Sequence, residues 1–303
     1  MSQIESTYKA RDVEETIDIL FYRPIGYVVA QLCRRLRITP NIVTVCSILI
    51  GVAAGHLLYY PDIIINTAAL LLWVIADILD SVDGQLARLL NHKSRFGRIL
   101  DGVATYIIFT SIYLHLYLRM VNFGGSSWLI LLVLASIASH AMQSSIADYF
   151  RHAYLKFVVD SAKSELEYSE HIRIEYEELS FKSQPIRKLF LGIYLNYTVQ
   201  QEFLSKNFQA LRKTVEREYG QRIPSWLSDE YRFLNKPLMK YYAILTTNTR
   251  AIIMASCVLM DKILLYFIAE VGFINLVMVA VVLFQEKFSA QLLRKIEEVK
   301  AAV

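Results

Sequence analysis

The sequence predicts an all-α, polytopic membrane protein, and three observations carry that prediction. Apolar residues make up 55% of the chain and the mean hydropathy is +0.36. They are bunched into six runs that approach the ~20 residues needed to cross a bilayer. A long charged stretch, rich in Tyr and Glu, separates the fourth run from the fifth. Six such runs in one chain exclude a soluble core. The expected plan is six transmembrane helices, an N-terminal amphipathic interfacial helix and a cytoplasmic helical insertion.

Residues 1–41 form the N-terminal segment. Glu5, Lys9, Arg11, Asp12, Glu14 and Glu15 precede any apolar run, which argues against a secretory signal peptide. Ile17, Ile19, Leu20, Tyr27, Val28, Val29 and Leu32, with Arg34, Arg35 and Arg37, read as an amphipathic helix on the inner leaflet. Thr39-Pro40-Asn41 then starts the first span, with Thr39 or Asn41 as a cap and Pro40 fixing the direction. Residues 42–149 hold four spans, at about 42–60, 63–79, 100–118 and 128–146. The insertion covers 150–243, broken by Pro185, Pro224 and Pro237, with amphipathic helices expected near 161–180 and 198–219. Residues 244–303 carry spans at 244–267 and 273–284, interrupted by Arg250, Asp261 and Glu270, and a cytoplasmic tail. The insertion reads as a soluble lid or regulatory element.

Basic residues set the orientation. Arg34, Arg35 and Arg37 precede the first span, Arg88, Lys93, Arg95 and Arg98 lie between the second and third, and Lys287, Arg294 and Lys295 follow the sixth. The opposite loops, Pro61-Asp62 and 122–127, are short and nearly uncharged. The positive-inside rule places both termini cytoplasmic. Cys33, Cys46 and Cys257 have no paired spacing, so neither a disulfide framework nor a zinc site is expected. Nothing in the sequence points to nucleic acid.

The chemistry concentrates where the second span meets the cytoplasmic loop. Asp80 and Asp83 are three residues apart, Gly84, Ala87 and Arg88 follow on nearly the same helical face, and Gly97 and Asp101 come after the loop. Carboxylates crowded near a bilayer repel one another. A hard divalent cation such as Mg2+ removes that cost, is held by a few carboxylates plus phosphate oxygens, and makes the cluster a trap for a diphosphate. Gly84 and Gly97 leave room for a nucleotide or a second helix, and Arg88 can fork onto phosphate.

The string D-x-x-D-G-x-x-A-R, eight residues, G-x-x-x-D resembles the signature of the CDP-alcohol phosphotransferases (CDP-alcohol phosphatidyltransferases), carried here by Asp80, Asp83, Gly84, Ala87, Arg88, Gly97 and Asp101. Thr-Pro-Asn before the first span is also common in that family. The resemblance implies a CDP-linked lipid donor, a small alcohol acceptor, release of CMP, and two Mg2+ or Mn2+ ions held by Asp80, Asp83 and Asp101. It also implies Arg88 as the phosphate contact, an active site at the cytoplasmic face, and a homodimer. The family signature ends with a further aspartate, a metal ligand and general base, four residues after Asp101. This sequence has Thr105 there.

Threonine cannot accept a proton at neutral pH, and loss of a general base removes ~10² to 10⁴ in rate. The alternative is therefore a catalytically impaired family member that binds CDP-lipid as a scaffold. Asp77, one turn before Asp80, is the substitute base or else orients the metal ligands. Two intramembrane polar residues are candidate acceptor contacts. His140 starts a stripe with Gln143, Ser144, Ala147 and Asp148 that either lines an acceptor pocket or makes interhelical hydrogen bonds. Arg250 either holds an acceptor phosphate or pairs with an acid. A transporter is disfavoured, because the acids lie at span ends rather than at midplane.

Overall fold

The structure is a computed structural model, and it describes residues 12–91, 95–159, 164, 166–220 and 222–301. The start of the N-terminal segment, including Glu5, Lys9 and Arg11, lies outside the described residues, as do Lys93 and Ser161. The described residues are helical, without strands. Six helical stretches among them are long and apolar enough to cross a membrane: Pro40–Leu57, Ile63–Leu89, Ile99–Asn122, Leu129–Val159, Ser225–Leu259 and Ile263–Ala301.

The chain divides into two compact units, Met1–Ala141 with Thr247–Phe273, and Met142–Thr246 with Ile274–Val303. The first opens with a π-helical turn, Asp18–Tyr22, and α1, Arg23–Arg35. Helix α2, Pro40–Leu57, starts with Pro40 in its first turn. Thr39 sits at the cap in extended conformation and makes no side-chain cap bond, so the start rests on proline geometry rather than on capping by that hydroxyl. Asp62 does cap α3, Ile63–Leu89, accepting from the Ile64 and Ile65 amides at 2.8 and 2.9 Å. Helix α4 runs Arg95–Asn122 and α5 Leu129–Tyr154.

Helix α2 packs on both α3 and α4, and α1 packs on α3. Small residues allow this. A Cβ at Gly51 would lie 2.7 Å from two side-chain carbons of Ile108, and one at Gly55 would lie 3.0 Å from the Ile112 backbone nitrogen. Gly51 and Gly55, four residues apart, thus form a notch that admits α4, the small-xxx-small logic of membrane helices. Ser47, one turn before Gly51, donates to the Ala76 carbonyl of α3 at 2.8 Å. Beyond the notch, Trp73, Phe109, Tyr113, Tyr266 and Phe267 form an aromatic core, with Trp73 edge-on to Phe109 at 5.5 Å between ring centroids.

The last spans differ from expectation. The apolar run read as one helix to Phe267 breaks between α11, Thr247–Leu259, and α12, Ile263–Ala269. Asp261 adopts a left-handed φ of 54° and the Lys262 amide reaches back to the Cys257 carbonyl at 2.7 Å, which closes the helix end. Arg119 donates to the Asp261 carboxylate at 2.7 Å and holds the turn. Ile263–Ala269 therefore begins the sixth span, which continues through a π-helical turn, Glu270–Ile274.

In the second unit, α6 (Ser169–Glu178) pairs with α7 (Pro185–Phe203), while α8 (Lys206–Tyr219) and α9 (Ser225–Asn235) pack on the last helix, Asn275–Ala301. The short α10 is Met239–Tyr242, so the Asn275–Ala301 helix is α13. The helix expected at 198–219 is two helices. Ser205, fully buried, turns its hydroxyl onto the Gln201 carbonyl at 2.7 Å and breaks the chain there. Of the helix expected near 161–180, the described residues show Ser169–Glu178. The insertion belongs to one unit with the end of α5 and with α13 rather than standing alone.

Candidate functional site

Helix α3 carries Asp77, Asp80, Asp83, Gly84, Ala87 and Arg88, and α4 carries Gly97, Asp101 and Thr105. The α2 notch brings the two helices to one locus. One carboxylate oxygen from each of Asp80, Asp83 and Asp101 lies within 4.8 Å of the others, a spacing that a divalent cation can span. Three carboxylates drawn from two helices fit such an ion in donor chemistry and number.

Asp83 is 5% exposed and is held from a third helix: Thr44 Oγ1 of α2 donates to Asp83 Oδ2 at 2.5 Å. Thr44 also lies 3.1 Å from the Pro40 carbonyl, but its single proton serves the closer, charged acceptor. The reading of the sequence missed Thr44. Its signal was a hydroxyl one turn after Pro40, inside a mostly apolar span.

Gly84 does not serve contact with a second helix. The nearest atoms to a Cβ built there are those of the Arg88 guanidinium, from 3.4 Å, an ordinary van der Waals contact, so Arg88 folds back over its own helix beside Gly84. Thr105 turns its hydroxyl onto the Asp101 carbonyl at 3.4 Å. Asp77 lies beside Tyr22 of the N-terminal turn. Burial raises the Tyr22 phenol above its ordinary value, and the charges of Asp77 and Asp18 add to that. Burial also raises the Asp18 carboxyl; a hydrogen bond from Asn248 opposes the shift and Glu15 reinforces it. Asn248 Nδ2 reaches Glu15 and Asp18, both at 2.9 Å, which ties the N-terminal turn to the start of α11. Gln85 donates to the Arg23 carbonyl at 3.2 Å, and Arg23 forks onto Glu14.

His140 and Arg250 are placed elsewhere. His140 is 2% exposed, edge-on to Phe109 at 4.1 Å between centroids, with Nδ1 3.2 Å from the Tyr113 hydroxyl. Tyr113 meets the Tyr266 hydroxyl at 2.5 Å, Tyr266 donates to Glu270 at 3.2 Å, and Arg250 Nε donates to Glu270 at 2.9 Å. Arg250 and Glu270 are both wholly buried. Phe109 and Tyr113 lie eight and twelve residues beyond Asp101 on α4, which is about 12 and 18 Å along a helix axis. For each residue the contacts seen are those of the second of the two readings. Arg250 pairs with an acid, and His140 joins an interhelical chain two to three turns deeper than the carboxylates. Gln143 of the same stripe donates to Asn275 at 2.8 Å.

Fold and site together define a polytopic helical protein with a carboxylate cluster between two spans. Residues 37–163 match the model of the CDP-alcohol phosphatidyltransferase family. That match bears out the resemblance read from Asp80 to Asp101, and with the six apolar helices it marks an integral membrane protein. A protein of Aquifex aeolicus described as uncharacterized is 29% identical over 105 residues, covering 35% of this chain and 52% of that relative. CDP-diacylglycerol–serine O-phosphatidyltransferases of Mycobacterium bovis and Mycobacterium tuberculosis are each 35% identical over 103 residues, 33% of this chain and 34% of theirs. The chain therefore spans about half, or about a third, of the length of the curated relatives it matches. No solved structure matches it.

Proposed function

We propose that this protein is a divalent-metal-dependent CDP-alcohol phosphotransferase of phospholipid synthesis. It moves a phosphatidyl-type group from a CDP-linked lipid to a small hydroxylated acceptor. The observation that carries the reading is the convergence of Asp80, Asp83 and Asp101 from two helices. The acceptor oxygen attacks the lipid-linked phosphorus, the bond to CMP breaks, and the acceptor proton passes to a base. Mg2+ or Mn2+ at the three carboxylates, two ions by the family resemblance, would neutralise the diphosphate and the developing charge on the leaving CMP.

The chain's own groups divide the remaining work. Asp80, Asp83 and Asp101 hold the charge that recruits the cation, and Thr44 fixes the Asp83 carboxylate. Arg88, folded over Gly84, is the phosphate contact. Asp77 is the available proton acceptor, one turn from Asp80. The cytoplasmic position of the site and of both termini, and a homodimer, belong to the same proposal. The mycobacterial relatives carry a serine transferase name, so serine leads the acceptor panel. Purified protein in nanodiscs, given CDP-diacylglycerol, Mg2+ and serine, inositol, inositol phosphate or glycerol phosphate, releases CMP with at least one acceptor and stops on chelation. Turnover that persists in chelator overturns the metal-dependent reading.

A second reading rests on Thr105, whose hydroxyl is engaged with the Asp101 carbonyl and brings no carboxylate to the position of the family's base. In that reading the chain binds CDP-lipid in a metal-dependent way without turnover. Metal-dependent retention of CDP-lipid, with no CMP from any acceptor, would select it.

A further inference from the structure

Helix α7 buries one side and leaves another bare. Leu191 packs with Ile172 and Leu179 of the α6 side, and Thr198 and Gln201 are also buried. The opposite face exposes Ile186, Leu189 and Ile193, which recur at three and four residue steps and are 65%, 56% and 46% exposed. Phe181, in the turn before the helix, is 56% exposed as well. A helix that is apolar on both faces needs a second apolar environment.

Its place along the chain says which one. Gln201, near the end of α7, donates to the Ser145 carbonyl of α5 at 2.9 Å, and the bond is buried. Helix α5 begins at Leu129, after an exposed Trp128 of the kind that marks a membrane interface. Ser145 lies sixteen residues further on, about 24 Å along the helix axis against a hydrocarbon core of about 30 Å. The end of α7 is thereby anchored just inside the far boundary of the core, at the depth an interfacial helix occupies.

Charge agrees with this placement. Lys182, Arg187 and Lys188 cluster at the start of α7, with no acid between Ser180 and Val199. The Lys188 ammonium lies over the rings of Tyr176 and Phe181 and donates to the Leu179 carbonyl at 2.6 Å, and Arg187 pairs with Glu175 at 3.1 Å, so both are held on the α6 side, away from the bare stripe. The bare stripe is purely aliphatic and offers no hydrogen-bonding group to a protein partner. We infer that the exposed face of α7 lies in the lipid interface, with Ile186, Leu189 and Ile193 in the acyl boundary and the exposed Lys182 at the headgroups. The insertion is then a membrane-lying element rather than a soluble lid.

The test uses the full chain in nanodiscs containing anionic lipid, with Cys46→Ala and Cys257→Ala and the buried Cys33 retained. Nitroxides are placed singly by Leu189→Cys, Ile193→Cys and, on the exposed polar face of α6, Glu177→Cys. Labels at 189 and 193 should be relaxed by oxygen and shielded from a water-soluble nickel chelate, with the reverse at 177. Equal nickel accessibility at all three sites overturns the proposal. Shielding from both agents, with dipolar broadening that disappears when unlabelled protein is mixed in, also overturns it by showing that a second copy covers the stripe. The unaltered chain supplies an independent check. Lipids with a photoactivatable acyl chain should cross-link within 186–193, and absence of such cross-links refutes the inference even if a labelled variant fails to fold.

Discussion

Replacing Thr44 by valine removes one hydroxyl, keeps the branched shape of a side chain that is 3% exposed, and so isolates the hydrogen bond to Asp83. A hydrogen bond to a charged partner contributes about 1.5–3 kcal/mol. With each 1.4 kcal/mol worth a factor of ten, the loss of orientation at Asp83 corresponds to a weakening of roughly 10- to 100-fold in metal affinity. The cost should fall on metal binding rather than on the fold, because valine fills the same volume and leaves no buried hydroxyl to satisfy. Mn2+ binding, followed by the loss of the free-ion paramagnetic resonance signal, reads the affinity without any need for turnover. Thr44→Ser retains the donor and should stay within a few-fold of wild type. If Thr44→Val bound Mn2+ as tightly as wild type, or Thr44→Ser were as weak as valine, Thr44 would have no positioning role.

Asp80→Asn or Asp101→Asn should remove both Mn2+ binding and CMP release while leaving thermal unfolding in detergent close to wild type; near-normal turnover in saturating Mg2+ would sink that residue's assignment. Arg250→Met or Glu270→Gln breaks a wholly buried pair and should cost about 3–5 kcal/mol in unfolding free energy, with the double replacement recovering part of it. Additive losses would show that the two groups do not stabilise one another. Gly51→Ala drives a Cβ into Ile108 and should destabilise by about 1–3 kcal/mol, relieved when combined with Ile108→Ala. Thr105→Asp places a carboxylate one turn beyond Asp101 and should raise turnover and Mn2+ affinity together; no change in either would mean that the base is supplied from another position, with Asp77→Asn then the variant that abolishes CMP release.

Where the sequence was readable, the reason was local geometry. Asp80 and Asp83 share a helical face by spacing alone, and the first four spans are uniform apolar runs, so both were legible without tertiary information. The turn between the last spans was not. Hydropathy runs on through Leu259 and Ile263, and what breaks the helix is the left-handed Asp261, held by Arg119 from 142 residues away in sequence. Arg250 and Glu270 read separately as interruptions of two spans. Only the reversal at Met260–Lys262 turns them into partners, linked through Tyr266 and Tyr113 to His140. The bareness of one face of α7 was hidden for the same reason, since pattern alone cannot tell which of two apolar faces finds a neighbour.

Helix α2 contributes no acid to the site and yet governs its geometry. Its residues act at two levels. Gly51 and Gly55 let α4 approach until Asp101 reaches the carboxylates of α3, and Ser47 and Thr44 bind α3 through the Ala76 carbonyl and the Asp83 carboxylate. Bringing like charges to within 4.8 Å at a membrane boundary opposes folding, so the helix pair that carries them needs a third element to hold it together. The notch and the Ser47 bond to the Ala76 carbonyl are that element, while Thr44 orients the Asp83 carboxylate. A bulky residue at Gly51 should therefore weaken metal binding as well as stability, although it touches no ligand, because it pushes α4 away from α2 at Ile108, about two turns beyond Asp101, and so opens the distance from Asp101 to Asp80.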